Sequence, residues 1–416
     1  MNSRGIHIGL DIGTSKVCAI AAEPDQEGTL KVVGVSTSPS TGLRRGTIVD
    51  IEATARAIRQ ALDEIEASVG IKAEQVTVGI AGEHIYSLNA TGVIGIADLS
   101  KRGHAKELEI TEEDVERVIE SAKAVGLPNG RQIIHVIPQQ FAVDDESGLR
   151  NPVGMNGRRL EAQVHLVTSA TSSTKNIIST VRHAGCNVKD FVLEPIASAQ
   201  SVLTEEEKQI GVGLIDIGAG TTDAIVLSKF GVEHTVSLPY GGNQVTTDIA
   251  GILRITEEQA DELKLKYGHS FTDEAAADKV FDVKGVGGRE DRNMNEVEFS
   301  MYIEARMDEI LKMVQSNFRE SGMLKHLNSG IVLTGGGSNI PGIVSLTKRV
   351  FEMPVRLGNP IGFNDTTELI QSPEYATATG LIAYAAKFQS EHMPRFESGS
   401  LSGVLGKIKD FFKNNF

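Results

Sequence analysis

Residues 6–23, IHIGLDIGTSKVCAIAAE, and residues 212–228, VGLIDIGAGTTDAIVLS, decide the fold. Each runs apolar into Asp-Ile-Gly, passes a turn of small residues and runs apolar again, the pattern of a β-hairpin. Placing Asp11 on Asp216 aligns the two stretches at an offset of 205 residues, and the match continues at Ala19-Ile20 against Ala224-Ile225. Two copies of one strand-turn-strand unit, half a chain apart, imply a duplicated architecture.

The flanking sequence supports two related halves. Ile51, Ala55, Ile58, Leu62, Ile65 and Val69 recur at helical spacing behind Asp50, with Gly70 as the stop, and the strand VTVGIAGEH follows. In the second half Ile303, Met307, Ile310, Leu311, Val314 and Phe318 mark a longer helix behind Ser300, followed by the strand and glycine turn GIVLTGGGSNIPG. Two segments interrupt this order. The first, 85–163, holds β-rich pieces and a helix over 112–125, capped by Thr111 with Asp114 three residues on. The second, 229–300, holds a helix over 242–253 and another behind Thr256, where TEEQ forms a capping box and Gly268 ends the run. KGVGGREDRNMN, 284–295, reads as a loop. The expected division is a first core subdomain (1–84 with 164–199), an inserted subdomain (85–163), a second core subdomain (200–228 with 301–388), a second insertion (229–300), a linker (389–400) and a terminal helix (401–416).

A loop that grips phosphates needs small residues, so that backbone N–H groups approach the oxygens, and hydroxyls or a lysine to offset charge. DIGTSK (11–16) and DIGAGTTD (216–223) both meet that need, and each puts an aspartate at a strand end where it can face Mg2+ directly or through water. One Gly-Thr turn alone is an ordinary hairpin. Two in the same frame, facing each other across a duplicated fold, point to a nucleotide. Other nucleotide templates fail: the chain has no Gly-x-x-x-x-Gly-Lys-Ser/Thr, and neither turn opens a helix as Gly-x-Gly-x-x-Gly does. In a third turn, Gly335-Gly336-Gly337-Ser338-Asn339, three glycines let a flat group lie against backbone. Ser338 or Asn339 is a candidate N-cap for the helix beyond.

These loops, with EPIASA (194–199) and ATATGLIAYA (376–385), resemble the actin and heat-shock-chaperone ATPase superfamily. More narrowly, the chain resembles the FtsA family of bacterial division actin homologues over essentially its whole length. The position of the 85–163 insertion, the run LPYGGNQVTTDIAGIL followed by ADELKLKYG, and a basic amphipathic tail carry that narrower match. The resemblance implies an α/β, duplicated actin-like (ribonuclease-H-like) fold with two lobes around a nucleotide cleft. It implies that Asp11, Gly13, Thr14, Ser15 and Lys16 form one phosphate loop and Asp216, Gly218, Ala219, Gly220, Thr221 and Thr222 the other, holding ATP, with Asp11 and Asp216 near Mg2+ through water. Gly335, Gly336, Gly337, Ser338 and Asn339 would meet the nucleoside. Asp261 and Lys264 match a pair that approaches ribose and adenine in the relative MreB; three residues apart they share a helical face, where they also fit a solvated ion pair. Glu194 matches a carboxylate that orients the attacking water; since hydrolysis is slow in the resembled family, the resemblance implies at most a slow ATPase and mainly a nucleotide-dependent scaffold.

Composition sets outer limits. The 416 residues carry 41 Lys+Arg against 55 Asp+Glu, a formal charge of -14, which argues against nucleic acid as a partner. Two cysteines, Cys18 and Cys186, supply neither a disulfide framework nor a zinc site, and the ten histidines show no metal spacing. No apolar run approaches the ~20 residues of a membrane span, and residues 1–9 lack a secretory signal. The tail LSGVLGKIKDFFKNNF reverses the charge balance: Lys407, Lys409 and Lys413 face Asp410 alone, leaving -16 on the body against +2 here. As a helix it aligns Leu401, Val404, Leu405, Ile408, Phe411, Phe412 and Phe416 on one side, a shape that lies in an anionic interface or packs back on the protein's own core. Two net charges contribute about 2 kcal/mol near an anionic leaflet, so one tail binds reversibly and many in a filament bind firmly.

By resemblance the partners are the FtsZ C-terminal peptide, docking on the 229–300 insertion, further copies of the chain in filaments, and later division proteins. Arg306, in the helix that follows, is a candidate contact. The place implied is the cytoplasmic face of the inner membrane at the division septum. A PilM-like pilus-assembly protein and a small-molecule kinase of the same superfamily are the alternatives; the tail speaks against both.

Overall fold

Strand His7–Ile12 runs antiparallel to Lys16–Pro24, which pairs antiparallel with Leu30–Pro39. On its other side the first strand pairs parallel with Gln75–Ile80, which pairs parallel with Asn187–Leu193. The second half repeats this order. Val212–Ile217 is antiparallel to Thr222–Ser228, that strand to Gly231–Leu238, and Val212–Ile217 continues parallel to Ile331–Thr334 and then Val355–Leu357. The duplication read from two hairpins therefore extends to two whole sheets. The computed structural model describes residues 5–25, 28–96, 108–364 and 370–387. The expected linker, 389–400, and the tail from Leu401 to Phe416 lie outside these residues.

Each sheet buries its faces under helices whose ends the sequence dictates. Helix Ile51–Val69 starts at Asp50, whose side chain accepts from Ala53 N–H, and stops at Gly70 in the left-handed region at φ 73°. Ile58, Leu62 and Ile65 are fully or almost fully buried against the first sheet. At roughly 1.5–3 kcal/mol gross for each such side chain, this face rather than helix propensity fixes the element. The second sheet packs on the long helix Glu296–Glu320 through Phe299, Ile303, Met307, Ile310, Leu311, Val314 and Phe318. That helix begins four residues before Ser300, because Asn295 caps it by accepting from Glu298 N–H. The segment read as a loop needs a second correction. Arg292–Asn295 is a strand, paired antiparallel with Val280–Val283, and Met294 packs into the core with Phe281 and Val283.

The inserted region is a sheet in the order Glu146–Leu149, Arg131–Val143, Arg159–Ala170, Ile85–Gly95, with helix Glu112–Lys123 against it. The capping box of Thr111 and Asp114 forms in both directions, as does that of Thr256 with Gln259 ahead of helix Glu257–Tyr267. Strand Arg159–Ala170 pairs along its whole length with Ile85–Gly95 and Arg131–Val143, so the inserted sheet runs past residue 163 to Ala170, where helix Thr171–His183 begins. A row of polar side chains fastens this region to the edge strand of the second sheet. His165 shares one ring nitrogen with Asn89 at 2.6 Å and the other with Thr235 at 3.0 Å, while Gln139 donates to the Val232 carbonyl at 3.0 Å. Among the described residues no helix is long and apolar enough to cross a membrane.

Candidate functional site

The two Asp-Ile-Gly turns close by the same hydrogen bond: Gly13 N–H to the Lys16 carbonyl at 3.0 Å, and Gly218 N–H to the Thr221 carbonyl at 2.9 Å. A side chain at Gly13 would stand 2.8 Å from that Lys16 oxygen, so the tightness of the turn demands glycine. The loops face each other across the space between the sheets. A Cβ placed on Gly220 would lie 2.3 Å from Thr14 Oγ1. Ser15 is exposed, whereas Thr221 and Thr222 are buried; the Thr222 hydroxyl donates to the Tyr240 carbonyl at 2.9 Å.

Helix Gly242–Leu253 braces the second loop from behind. Gly242 and Asn243 donate their N–H groups to the carbonyls of Gly218 and Ala219, at 3.0 and 2.8 Å. Gly241 approaches so closely that a Cβ would stand 2.5 Å from the Gly218 oxygen, which accounts for the glycine pair in LPYGGN. Lys264 reaches the same place. Its Nζ donates to Asp261 Oδ1 and Thr246 Oγ1, each at 2.6 Å, and to the Gly242 carbonyl at 3.3 Å. The Asp261–Lys264 pair therefore abuts the loop-bracing helix. The third turn abuts the second loop from the neighbouring strand of the same sheet: Gly335, at φ 81°, would put a Cβ 2.2 Å from Asp216 Oδ1. Neither Ser338 nor Asn339 caps a helix. Residues Gly336–Asn339 form a 3-10 turn in which Ser338 donates back to the Gly335 carbonyl, and helix Ile343–Phe351 starts from Gly342 instead. The Ser338 hydroxyl is turned back into its own turn and Asn339 faces Ser372, so neither side chain is offered to the helix beyond.

Beneath the loops lie four carboxylates: Asp11, Asp216, Glu194 and Asp223. Burial pushes Asp11 up to about 7, with Lys16 opposing and Asp216 adding to the shift. Burial, then Asp11, Asp223 and Asp216, hold Glu194 well above the usual carboxylate range. Asp216 is raised less firmly, because Ser198 and Thr377 donate hydroxyls to its Oδ2 at 2.6 and 3.1 Å. Glu194 opens helix Glu194–Val202, with Pro195 locking the first turn, and borders a cavity of about 20 Å³ lined also by Ile12, Gly79, Ile80 and Ile177. That volume holds about one water.

Asp223 is the acid that the sequence reading passed over. It pairs across the hairpin with Asp216, as Cys18 does with Asp11, so the 205-residue offset already placed it at the site. Burial raises it to about 7 despite hydrogen bonding from Ser237, and its Oδ1 is buried without a partner. Ser237 also accepts from Gly82 N–H at 3.0 Å, linking this acid to the first half of the chain. Ser198, Thr377 and Glu374 also reach the site from outside the glycine motifs. Arg306, by contrast, is held by Asp248, through Nε at 2.5 Å and Nη2 at 3.1 Å, and by Glu309.

The raised acids have a measurable consequence. A carboxyl with a folded pKa near 7 and an unfolded value near 4 keeps its proton in the folded state while the unfolded state loses it, so stability falls as pH rises through that window. Buried His7, His84 and His165, held down at about 4, 4 and 3, act oppositely over much of the same range. A comparison with Asp223→Asn isolates the acid. The variant should melt higher than wild type at about pH 8 without ligand, and that gain should shrink toward about pH 5. An equal gain at both pH values in differential scanning fluorimetry would refute the assignment.

Known proteins resemble the chain in both sequence and fold. The family model described as "Cell division protein FtsA" matches residues 213–380, and "SHS2 domain inserted in FTSA" matches 82–168. Cell division protein FtsA of Pseudomonas aeruginosa is 41% identical over 416 residues, covering 98% of each chain. That of Bacillus subtilis is 36% identical over 389 residues, 93% of this chain and 85% of its own. Among solved structures, the PilM-PilN type IV pilus biogenesis complex aligns at TM-score 0.62 and 17% identity, over 92% of this chain and 99% of that one. MreB5 of Spiroplasma citri bound to ADP aligns at 0.57 and 14%, over 93% and 99%. The structural likenesses establish an actin-like fold. The sequence identities decide the kinship within it: the chain belongs to the FtsA family of cell division proteins.

Proposed function

We propose that the chain is an ATP-binding division scaffold that assembles on the inner membrane's cytoplasmic face, tethers the FtsZ ring there and recruits later division proteins. The observation that carries the nucleotide reading is the pair of like-built turns, closed by the same hydrogen bond and facing each other over buried acids. Backbone N–H groups within 14–16 and 219–222, beyond the Gly13 and Gly218 donors that close the turns, would meet the phosphates, Lys16 would offset their charge, and residues 335–339 with Asp261 and Lys264 would line the nucleoside.

The carboxylate cluster fits a divalent cation, since Asp223 Oδ1 is buried and unsatisfied and several raised acids ionise readily only beside positive charge. Among the described residues no group of three or more such side chains is arranged to hold a metal by itself. Asp11 and Asp216 would therefore hold Mg2+ through water, the remaining positions going to phosphate oxygens. When bound, the ion supplies neutralisation of phosphate charge. Glu194, raised and bordering a one-water cavity, would orient a water toward the terminal phosphate.

The membrane reading rests on the tail's sequence alone: a basic stretch whose spacing would align Phe411, Phe412 and Phe416 on one apolar side if it wound into a helix. One experiment addresses the tether. A labelled peptide from the FtsZ C-terminus should sediment with anionic vesicles only when the chain is present. A Phe411→Glu, Phe412→Glu variant should leave the vesicles while still capturing the peptide in solution. Absence of peptide capture by wild type would remove the FtsZ assignment; sedimentation of the variant as complete as wild type would remove the tail.

A further inference from the structure

The turn Pro373–Tyr375 and the start of the helix it leads into, Ala376–Lys387, together touch all three glycine motifs. The Pro373 carbonyl accepts from Gly335 N–H and from the Thr334 hydroxyl, both at 3.2 Å. Thr377 donates to Asp216. Between them Glu374 takes the ammonium of Lys16 at 2.7 Å, and the same ammonium sits 4.2 Å from the centroid of the Tyr375 ring. The Lys16 side chain is buried enough to disfavour its charge, yet Glu374 more than compensates and leaves the ammonium firmly protonated.

Lys16 is thus committed to a protein anion at the place where the nucleotide reading needs it. Its backbone is fixed, because its carbonyl closes the loop to Gly13, but its stem and three rotatable donors let the ammonium change partners without moving the loop. A carboxylate oxygen and a phosphate oxygen are equivalent ligands for it. With the two side chains 26% and 38% exposed, water screens the pair and leaves it a weak one. That is weak enough for exchange, and the Tyr375 face steadies the cation over the cleft with either partner.

We propose that Glu374 is an internal counter-anion for Lys16 that the terminal phosphate of a nucleoside triphosphate displaces, so that this pair sets how strongly the chain prefers a triphosphate over a diphosphate. The inference rests on the nucleotide reading and adds a residue to it. The diphosphate lacks the displacing group and leaves Lys16 with Glu374. Because Glu374 stands between Pro373, in the same turn, and Thr377, in the first turn of the helix that follows, the exchange takes place beside the contacts to Gly335 and Asp216.

The test is a titration of the full chain with ATP and with ADP, in Mg2+, for wild type, Glu374→Gln and Glu374→Asp. Glu374→Gln keeps the shape and removes the charge, so ATP should bind about threefold to fivefold more tightly while ADP changes less than about twofold. Glu374→Asp restores the competing carboxylate and should bring the ATP-to-ADP ratio back toward wild type. A purely structural role would weaken both nucleotides together and leave the ratio where it was, and that result would overturn the proposal. Wild type that binds neither nucleotide would overturn the underlying reading as well; wild type that binds both, with a ratio indifferent to Glu374, would overturn this inference alone.

Discussion

Gly220→Val should weaken nucleotide binding by about a hundredfold while leaving the chain folded. Even a methyl at this position would stand 2.3 Å from Thr14 Oγ1 and 2.9 Å from its Cβ, so the larger side chain must push the two Asp-Ile-Gly loops apart. Overpacking of this kind costs about 1–3 kcal/mol, and at ~1.4 kcal/mol per factor of ten a penalty at the upper end is about two orders of magnitude. The damage falls on binding because Gly220 lies in a loop that is partly open to the cleft rather than in either sheet's core. Circular dichroism should be unchanged and fluorescence titration should show the loss. Wild-type affinity in a folded variant would mean that the loops do not grip a common ligand.

Gly380→Ala should produce the largest loss of stability from any single methyl. Helices Glu194–Val202 and Ala376–Lys387 cross at this residue, and an added Cβ would lie 1.8 Å from the Ala197 carbonyl oxygen and 2.3 Å from its carbon. Both obstacles are backbone, so no rotamer relieves them and the helices must separate. We expect a cost of about 3 kcal/mol, read as a fall of roughly 3–4 °C in the thermal midpoint of a chain this long. The same separation would draw Ser198 and Thr377 away from Asp216, which they clamp from the two helices. An unchanged melting curve would show that the crossing is looser than described.

Local chemistry explains which elements the sequence disclosed. Asp50, Gly70, Thr111 with Asp114, and Thr256 with Gln259 act within a few residues of themselves, so their effect can be read along the chain. The duplicated hairpins were equally legible, since the 205-residue offset preserves Asp-Ile-Gly letter for letter. Strand Arg292–Asn295 was not, because one buried methionine among polar residues gives no alternation and the strand exists only through its partner Val280–Val283. The start of helix Glu296–Glu320 was missed for the same reason: its cap, Asn295, ends that strand.

The site divides likewise. The glycine loops carry their own pattern and were read directly. Asp223 was within reach of the offset, standing opposite Cys18 in the alignment of the halves, but its neighbour Asp216 already answered the motif. Ser198, Thr377 and Glu374 reach the cleft from 18, 161 and 358 residues away from the groups they touch, through helix crossings that no local spacing encodes. Their convergence is a property of packing, and so is the pressure of burial that raises Asp11 and Asp223.

The central claim is that one nucleotide binds between the Asp11 and Asp216 loops with a divalent cation. Calorimetric titration of the full chain with ATP, with Mg2+ and then with excess chelator, measures it most directly. The account predicts one ATP per chain, tighter with Mg2+ than without it, and greatly weakened in Gly220→Val. Heat of binding that is absent with Mg2+, or that persists undiminished in the Gly220→Val protein, would contradict it.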